Sequence, residues 1–148
     1  MKQLLPQIDE IITTQRGLEL CKYFELGYLV ERLTKHPGRY REWRFDGCSF
    51  LPDQLLKRIY RNWDKVLYEC CLPHDLGYAY GKSGDNEERK QVDLDFERNL
   101  IAKADMHPGL ARIFWGAVSI WGAVSIGGKE SLKILNVSWA FATKEKGR

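Results

Sequence analysis

The chain has 148 residues, of which 44% are hydrophobic and 29% charged, a balance that fits one globular domain and excludes a disordered tail or a fibrous repeat. Lys and Arg outnumber Asp and Glu by 23 to 20, a net charge of +3. That excess is too small and too evenly spread to imply a nucleic-acid partner, although a mildly basic surface would help approach to an anionic membrane.

The opening MKQLLPQIDEII carries Gln, Pro, Asp and Glu where a signal peptide needs an unbroken apolar stretch, so the chain reads as a mature form or as a cytosolic protein. From Ile11 to Thr34, Leu18, Cys21, Leu26, Leu29, Val30 and Leu33 recur at helical spacing, and His36, Pro37 and Gly38 mark the exit. A helical N-terminal extension over about residues 1–40 is therefore expected within a single domain of residues 1–148. GRYREWRFDGCSFLPD then changes character, reading as an extended segment that enters a fixed loop.

Helical spacing resumes at Gln54, with Asp53 available as a cap and Leu55, Leu56, Ile59, Trp63, Val66, Leu67, Cys70 and Cys71 as an inward face. Pro73 fits a helix start or a kink, so His74, Asp75 and Tyr78 lie either on a new helix or on a continuation of the old one. After the polar connection around Gly81 and Gly84, Val92, Phe96, Leu100 and Ile101 predict a returning helix, which brings residues about 20 positions apart into contact. WGAVSI occurs twice, at Trp115–Ile120 and Trp121–Ile126, inside an apolar helix or hairpin that either packs in the core or touches a membrane; this region is too short to span a bilayer unaided. SWAFATKEKGR is expected to end as a short strand and a basic tail.

Chemistry concentrates at His74. His36 and His107 both precede Pro-Gly in turn sequences and read as structural. His74 is followed at once by Asp75, then by Tyr78, with Asp93 on the returning helix. An imidazole can take a proton from water if a carboxylate holds its other nitrogen as a donor, and Asp93 is the natural orienter, with Asp95 a rival on the same helix. Hydroxyls of Tyr78, Tyr68 or Tyr80 would brace Asp93. Asp75, about 100° around the helix from His74, can face the Asp46–Pro52 loop, where a carboxylate and loop carbonyls suit calcium. A zinc site using Cys71 and His74 is the competing metal reading. Adjacent Cys70 and Cys71 do not favour a bond with each other on a helix, which leaves Cys48 and Cys21 as candidate partners, or free buried thiols in a reducing compartment.

CCLPHDLGY, Cys70 to Tyr78, followed by DLDF at Asp93–Phe96, resembles the phospholipase A2 superfamily, in its small prokaryotic-type or short-linker forms. The resemblance implies a mainly α fold, with an antiparallel helix pair and an upstream calcium-binding loop matched by FDGCSFLPD. It implies His74 and Asp93 as catalytic residues, Ca2+ held by Asp75 with Phe45, Gly47 and Ser49, and Tyr78 and Tyr68 in support. A Cys48–Cys71 disulfide is implied too, with Cys70 either paired with Cys21 or free. The implied activity is calcium-dependent hydrolysis of the sn-2 ester of glycerophospholipids at a membrane or micelle surface; a catalytically inactive lipid-binding or structural module is the alternative. If disulfides form, an extracellular or periplasmic location is expected, and otherwise a cytoplasmic one. FDGCSFLPD departs from the family in having one glycine where the familiar secreted enzymes have several.

Overall fold

In a computed structural model of the chain, which describes residues 4–48, 60–125 and 138–144, the architecture is mainly α-helical with one small two-stranded antiparallel sheet. The stretch expected to be one helix from Ile11 to Thr34 divides into three elements. Ile11–Ile12 (β1) is a strand, followed by α1 (Thr14–Tyr23) and α2 (Gly27–Lys35). Thr13 caps α1 through its side chain, which accepts from the Arg16 amide.

α1 stops without glycine or proline. The Leu26 amide reaches back to the Cys21 carbonyl and the Glu25 amide to that of Lys22, the paired bonds of a Schellman ending. Glu25 occupies the left-handed position at φ 58°, where glycine is usual, so the stop was invisible to residue-type reasoning. α2 buries Leu29 and Leu33 and leaves at His36, where a 3-10 turn over Pro37–Arg39 follows.

Trp43–Arg44 (β2) pairs with β1, Ile12 opposite Trp43 and Ile11 opposite Arg44. The ladder continues for one more step: the Phe45 amide donates to the Glu10 carbonyl, and the Phe45 carbonyl accepts from the Asp9 amide. Helix then runs unbroken through Trp63–Lys65 (α3), a π-helical turn over Val66–Cys71, and Leu72–Ala79 (α4). The Gln54 helix start and its Asp53 cap lie outside the described residues.

Asp85 opens α5 (Asn86–Ala102) by accepting from the Glu88 amide, with Glu87 and Glu88 in the first turn. Arg89, Val92, Asp93, Phe96, Glu97 and Leu100 form the buried stripe of α5. That stripe packs against α4 on one side and against α6 (Pro108–Ser125) on the other. The stretch at 138–144 is made of turns joined to its surroundings by one isolated bridge, Tyr40 with Thr143, rather than the expected strand. It is pinned where the Ala142 amide meets the Ala79 carbonyl and Trp139 Nε1 meets the Lys82 carbonyl. Buried apolar side chains from Ile12 to Ala142 belong to one core.

Candidate functional site

Pro73 would ordinarily break the helix carrying His74, because it has no amide to donate and its ring presses on the carbonyl four residues back. Here the turn before it is widened into a π-helix, in which the Leu72 amide bonds the Leu67 carbonyl five residues earlier. The helical run continues through Pro73, and every residue from Cys70 to Gly81 is buried. Continuation of the helix is thus the outcome for the boundary that the sequence left open.

The next residue after Pro73, His74, faces α5. Its Nε2 lies 2.9 Å from Oδ1 of Asp93, and the same oxygen accepts from the Tyr78 hydroxyl at 2.8 Å. The imidazole is held between the Tyr78 ring, 4.4 Å away between centroids, and the Phe96 ring, 4.8 Å away. His74 is 5% exposed and Asp93 is fully buried. Burial and the Asp93 charge push the Tyr78 phenol well above its ordinary range, so Tyr78 stays a donor.

Two groups that sequence reasoning missed complete the surroundings of Asp93. Arg89 Nη1 donates to Oδ2 at 2.9 Å, and Ser119 Oγ donates to the same oxygen at 3.3 Å. Arg89 stands four residues before Asp93 on one helix, a spacing that makes the pair neighbours and that was readable in ERKQVD. Ser119 comes from α6 and had no local signal.

The rival carboxylate does not compete. Asp95 points to solvent, where Gln91 and Arg98 donate to it. Tyr68 is not brought to Asp93, whose hydrogen-bond partners among the described residues are His74, Tyr78, Arg89 and Ser119; its ring lies 6.2 Å from that of Phe45. Tyr80 accepts from Trp43 Nε1 instead. His107 Nδ1 accepts from the Gly109 amide at the start of α6, and His36 ends α2, so both are placed in turns as expected.

The calcium expectation is corrected. Among the described residues no group of three or more His, Cys, Asp or Glu side chains is arranged to hold a metal ion. Asp75 is buried, next to His74 in the chain. The Phe45 carbonyl, expected to face the ion, is committed to the Asp9 amide at 2.6 Å in the extension of the β1–β2 ladder. Gly47 takes a left-handed turn at φ 79° beside the disulfide, and Ser49 lies outside the described residues. The zinc alternative fails on its donors, since Cys71 is tied up in a disulfide and His74 Nε2 faces Asp93.

Cys48 and Cys71 are bonded, with Cα atoms 5.6 Å apart. The bridge fixes the end of the β2 segment to the helix three residues before His74. A disulfide of this kind is consistent with an extracellular or periplasmic location. Cys21 and Cys70 are separate buried thiols. Among the described residues no helix is long and apolar enough to cross a membrane.

Chemically, the arrangement is an imidazole with one nitrogen fixed against a buried carboxylate. A carboxylate that already accepts from Arg89 and Tyr78 is an acceptor for Nε2–H as well, which leaves the lone pair on Nδ1. Comparison with models of protein families, with curated proteins and with solved structures gave no match to this chain.

Proposed function

We propose that the chain is a carboxylic ester hydrolase of the phospholipase A2 kind, in which His74 activates water against the sn-2 ester of a glycerophospholipid. The observation that carries the reading is the buried 2.9 Å pairing of His74 Nε2 with Asp93, because it gives Nδ1 the tautomer of a general base. The choice of a phospholipid ester rests on the ordered string Cys70–Tyr78 and the Asp93–Phe96 pattern, together with the helix pair that presents them.

In this scheme water donates a proton to Nδ1 as its oxygen bonds to the ester carbonyl carbon. Asp93 stabilises the imidazolium that forms. Collapse of the tetrahedral intermediate breaks the bond between the carbonyl carbon and the glycerol oxygen. The imidazolium returns its proton to that leaving oxygen, and the products are a fatty acid and a lysophospholipid.

The test uses the purified, disulfide-intact chain on vesicles and mixed micelles of a phospholipid labelled in its sn-2 acyl chain. Reactions run both with chelator and with added divalent cations, so that neither condition masks turnover. Release of labelled fatty acid, abolished in His74→Gln and reduced by at least about a hundredfold in Asp93→Asn, is the expected result. Folded protein that frees no fatty acid under any of these conditions, or a His74→Gln variant as active as the parent, would defeat the proposal.

A further inference from the structure

Arg89 has no step of its own in the chemistry above, yet it is among the most enclosed charges of the chain, 4% exposed. Burying a guanidinium is costly unless its charge is matched and its donors are used. The charge is matched by Asp93, and two of the three guanidinium nitrogens have acceptors. Nη1 meets Oδ2 of Asp93 at 2.9 Å and the Ser119 carbonyl at 3.5 Å, while Nε meets Oδ1 of Asn86 at 3.0 Å. α6 closes over the group at Gly122, where a Cβ would stand 3.1 Å from Arg89 Nη1 and collide with the Tyr78 hydroxyl.

We propose that Arg89 is a positioning residue that acts through Asp93 to keep the His74 proton on Nε2, and that α6 completes this clamp through Ser119. The inference rests on the proposed hydrolysis for its catalytic consequence, but its physical content is a statement about one proton.

The two oxygens of a carboxylate offer about four acceptor directions. At Asp93 they are divided evenly: His74 and Tyr78 on Oδ1, Arg89 and Ser119 on Oδ2. The guanidinium neutralises a carboxylate that is wholly withdrawn from water. With that charge matched, Asp93 remains a pure acceptor, Nε2 is its donor, and Nδ1 carries the lone pair that takes a proton from water.

Remove the positive charge and the buried carboxylate is left with two ways to relieve itself. It can hold a proton and donate it to Nε2, which moves the ring proton to Nδ1. Alternatively it can pair with a fully protonated imidazolium. Both outcomes put a proton on Nδ1, and both silence the base. Arg89 therefore selects the only one of three states in which His74 can act.

The experiment compares the parent chain with Arg89→Met, Arg89→Lys and Ser119→Ala, reading two quantities. The first is the protonation of His74 Nδ1 and Nε2 from ring-nitrogen NMR shifts near neutral pH, which needs no substrate. The second is kcat and KM for phospholipid hydrolysis. The parent should carry its proton on Nε2. Arg89→Met should carry one on Nδ1 and lose about a hundredfold or more in kcat with KM little changed, the signature of lost base catalysis rather than lost binding.

Arg89→Lys keeps the charge and should recover the Nε2–H state and much of kcat. Ser119→Ala should shift both readouts in the same direction as Arg89→Met, by only a few-fold. If Arg89→Met does not fold, the lysine and alanine variants carry the comparison: wild-type ring shifts and kcat in Ser119→Ala, together with a lysine variant that has lost the Nε2–H state, would overturn the clamp. A folded Arg89→Met protein with parental ring shifts would overturn it too, as would lysine performing no better than methionine. Absence of turnover in the parent sinks the hydrolysis reading alone, since the nitrogen shifts still decide the clamp.

Discussion

Replacing Gly77 by alanine tests what sets the distance between His74 and Asp93. Gly77 lies one turn beyond His74 on α4, and Val92 precedes Asp93 on α5. A Cβ added at Gly77 would stand 2.7 Å from Val92 Cγ1 and 3.0 Å from Cγ2, against the roughly 3.5–4.0 Å at which carbon atoms pack. Val92 cannot rotate away cheaply, because a β-branched side chain in a helix has one strongly preferred rotamer. The helices must then part by about 1 Å, at an overpacking cost of about 1–3 kcal/mol, offset by about 1 kcal/mol of helix propensity gained. The same displacement would stretch the His74–Asp93 contact to about 3.9 Å, which is no longer a hydrogen bond. Urea unfolding of Gly77→Ala, Val92→Ala and the double variant should give a coupling of about 1–3 kcal/mol, because alanine at 77 costs stability beside Val92 and adds it beside Ala. Equal effects of Gly77→Ala in both backgrounds would refute this account of the helix spacing.

Reduction of the Cys48–Cys71 bond, which closes a sequence separation of 23, should lower stability by about 3 kcal/mol through the freed chain entropy of the unfolded state; urea midpoints and slopes with and without reductant measure it. Burial pushes the Cys21 and Cys70 thiols up to about 12, so at pH 8 only about one in ten thousand is thiolate. Iodoacetamide should leave both untouched in the native protein and alkylate both in urea, as mass spectrometry will show; rapid native labelling would contradict their burial. Glu25→Gly should raise stability by about 1 kcal/mol, since it relieves a left-handed residue at the end of α1, and a lower unfolding midpoint would count against the Schellman ending.

The core of the site was legible because its signals are local. His74 and Asp93 announce themselves through an adjacent acid, a tyrosine one turn on, and a returning helix with an inward stripe. Arg89 was equally legible from its spacing to Asp93 but was overlooked, since a charged residue in ERKQVD reads first as solvated. Ser119 could not be found, because its relation to Asp93 depends on how α6 lies across α5. The division of the first predicted helix escaped for a different reason: Glu25 adopts a backbone conformation that its side chain does not advertise. The pairing of the Phe45 carbonyl with the Asp9 amide had no local signal, because it depends on β1 lying beside β2.

The doubled WGAVSI shows how the same residues acquire opposite fates from geometry alone. Six residues advance an α-helix by about one and two-thirds turns, so the second copy is rotated roughly 120° from the first. Val118 is accordingly 2% exposed against α5 whereas its counterpart Val124 is 51% exposed. In the observed register Ser119 lies beside Asp93 and, three residues later, Gly122 lies against the Tyr78 hydroxyl. Ser119 and Gly122 come from different copies, the end of the first and the start of the second, so the contact that α6 makes with the site draws on both. A shift of α6 by one residue would turn Ser119 away from Asp93 by about 100°, and the face now covering Arg89 would be lost with it.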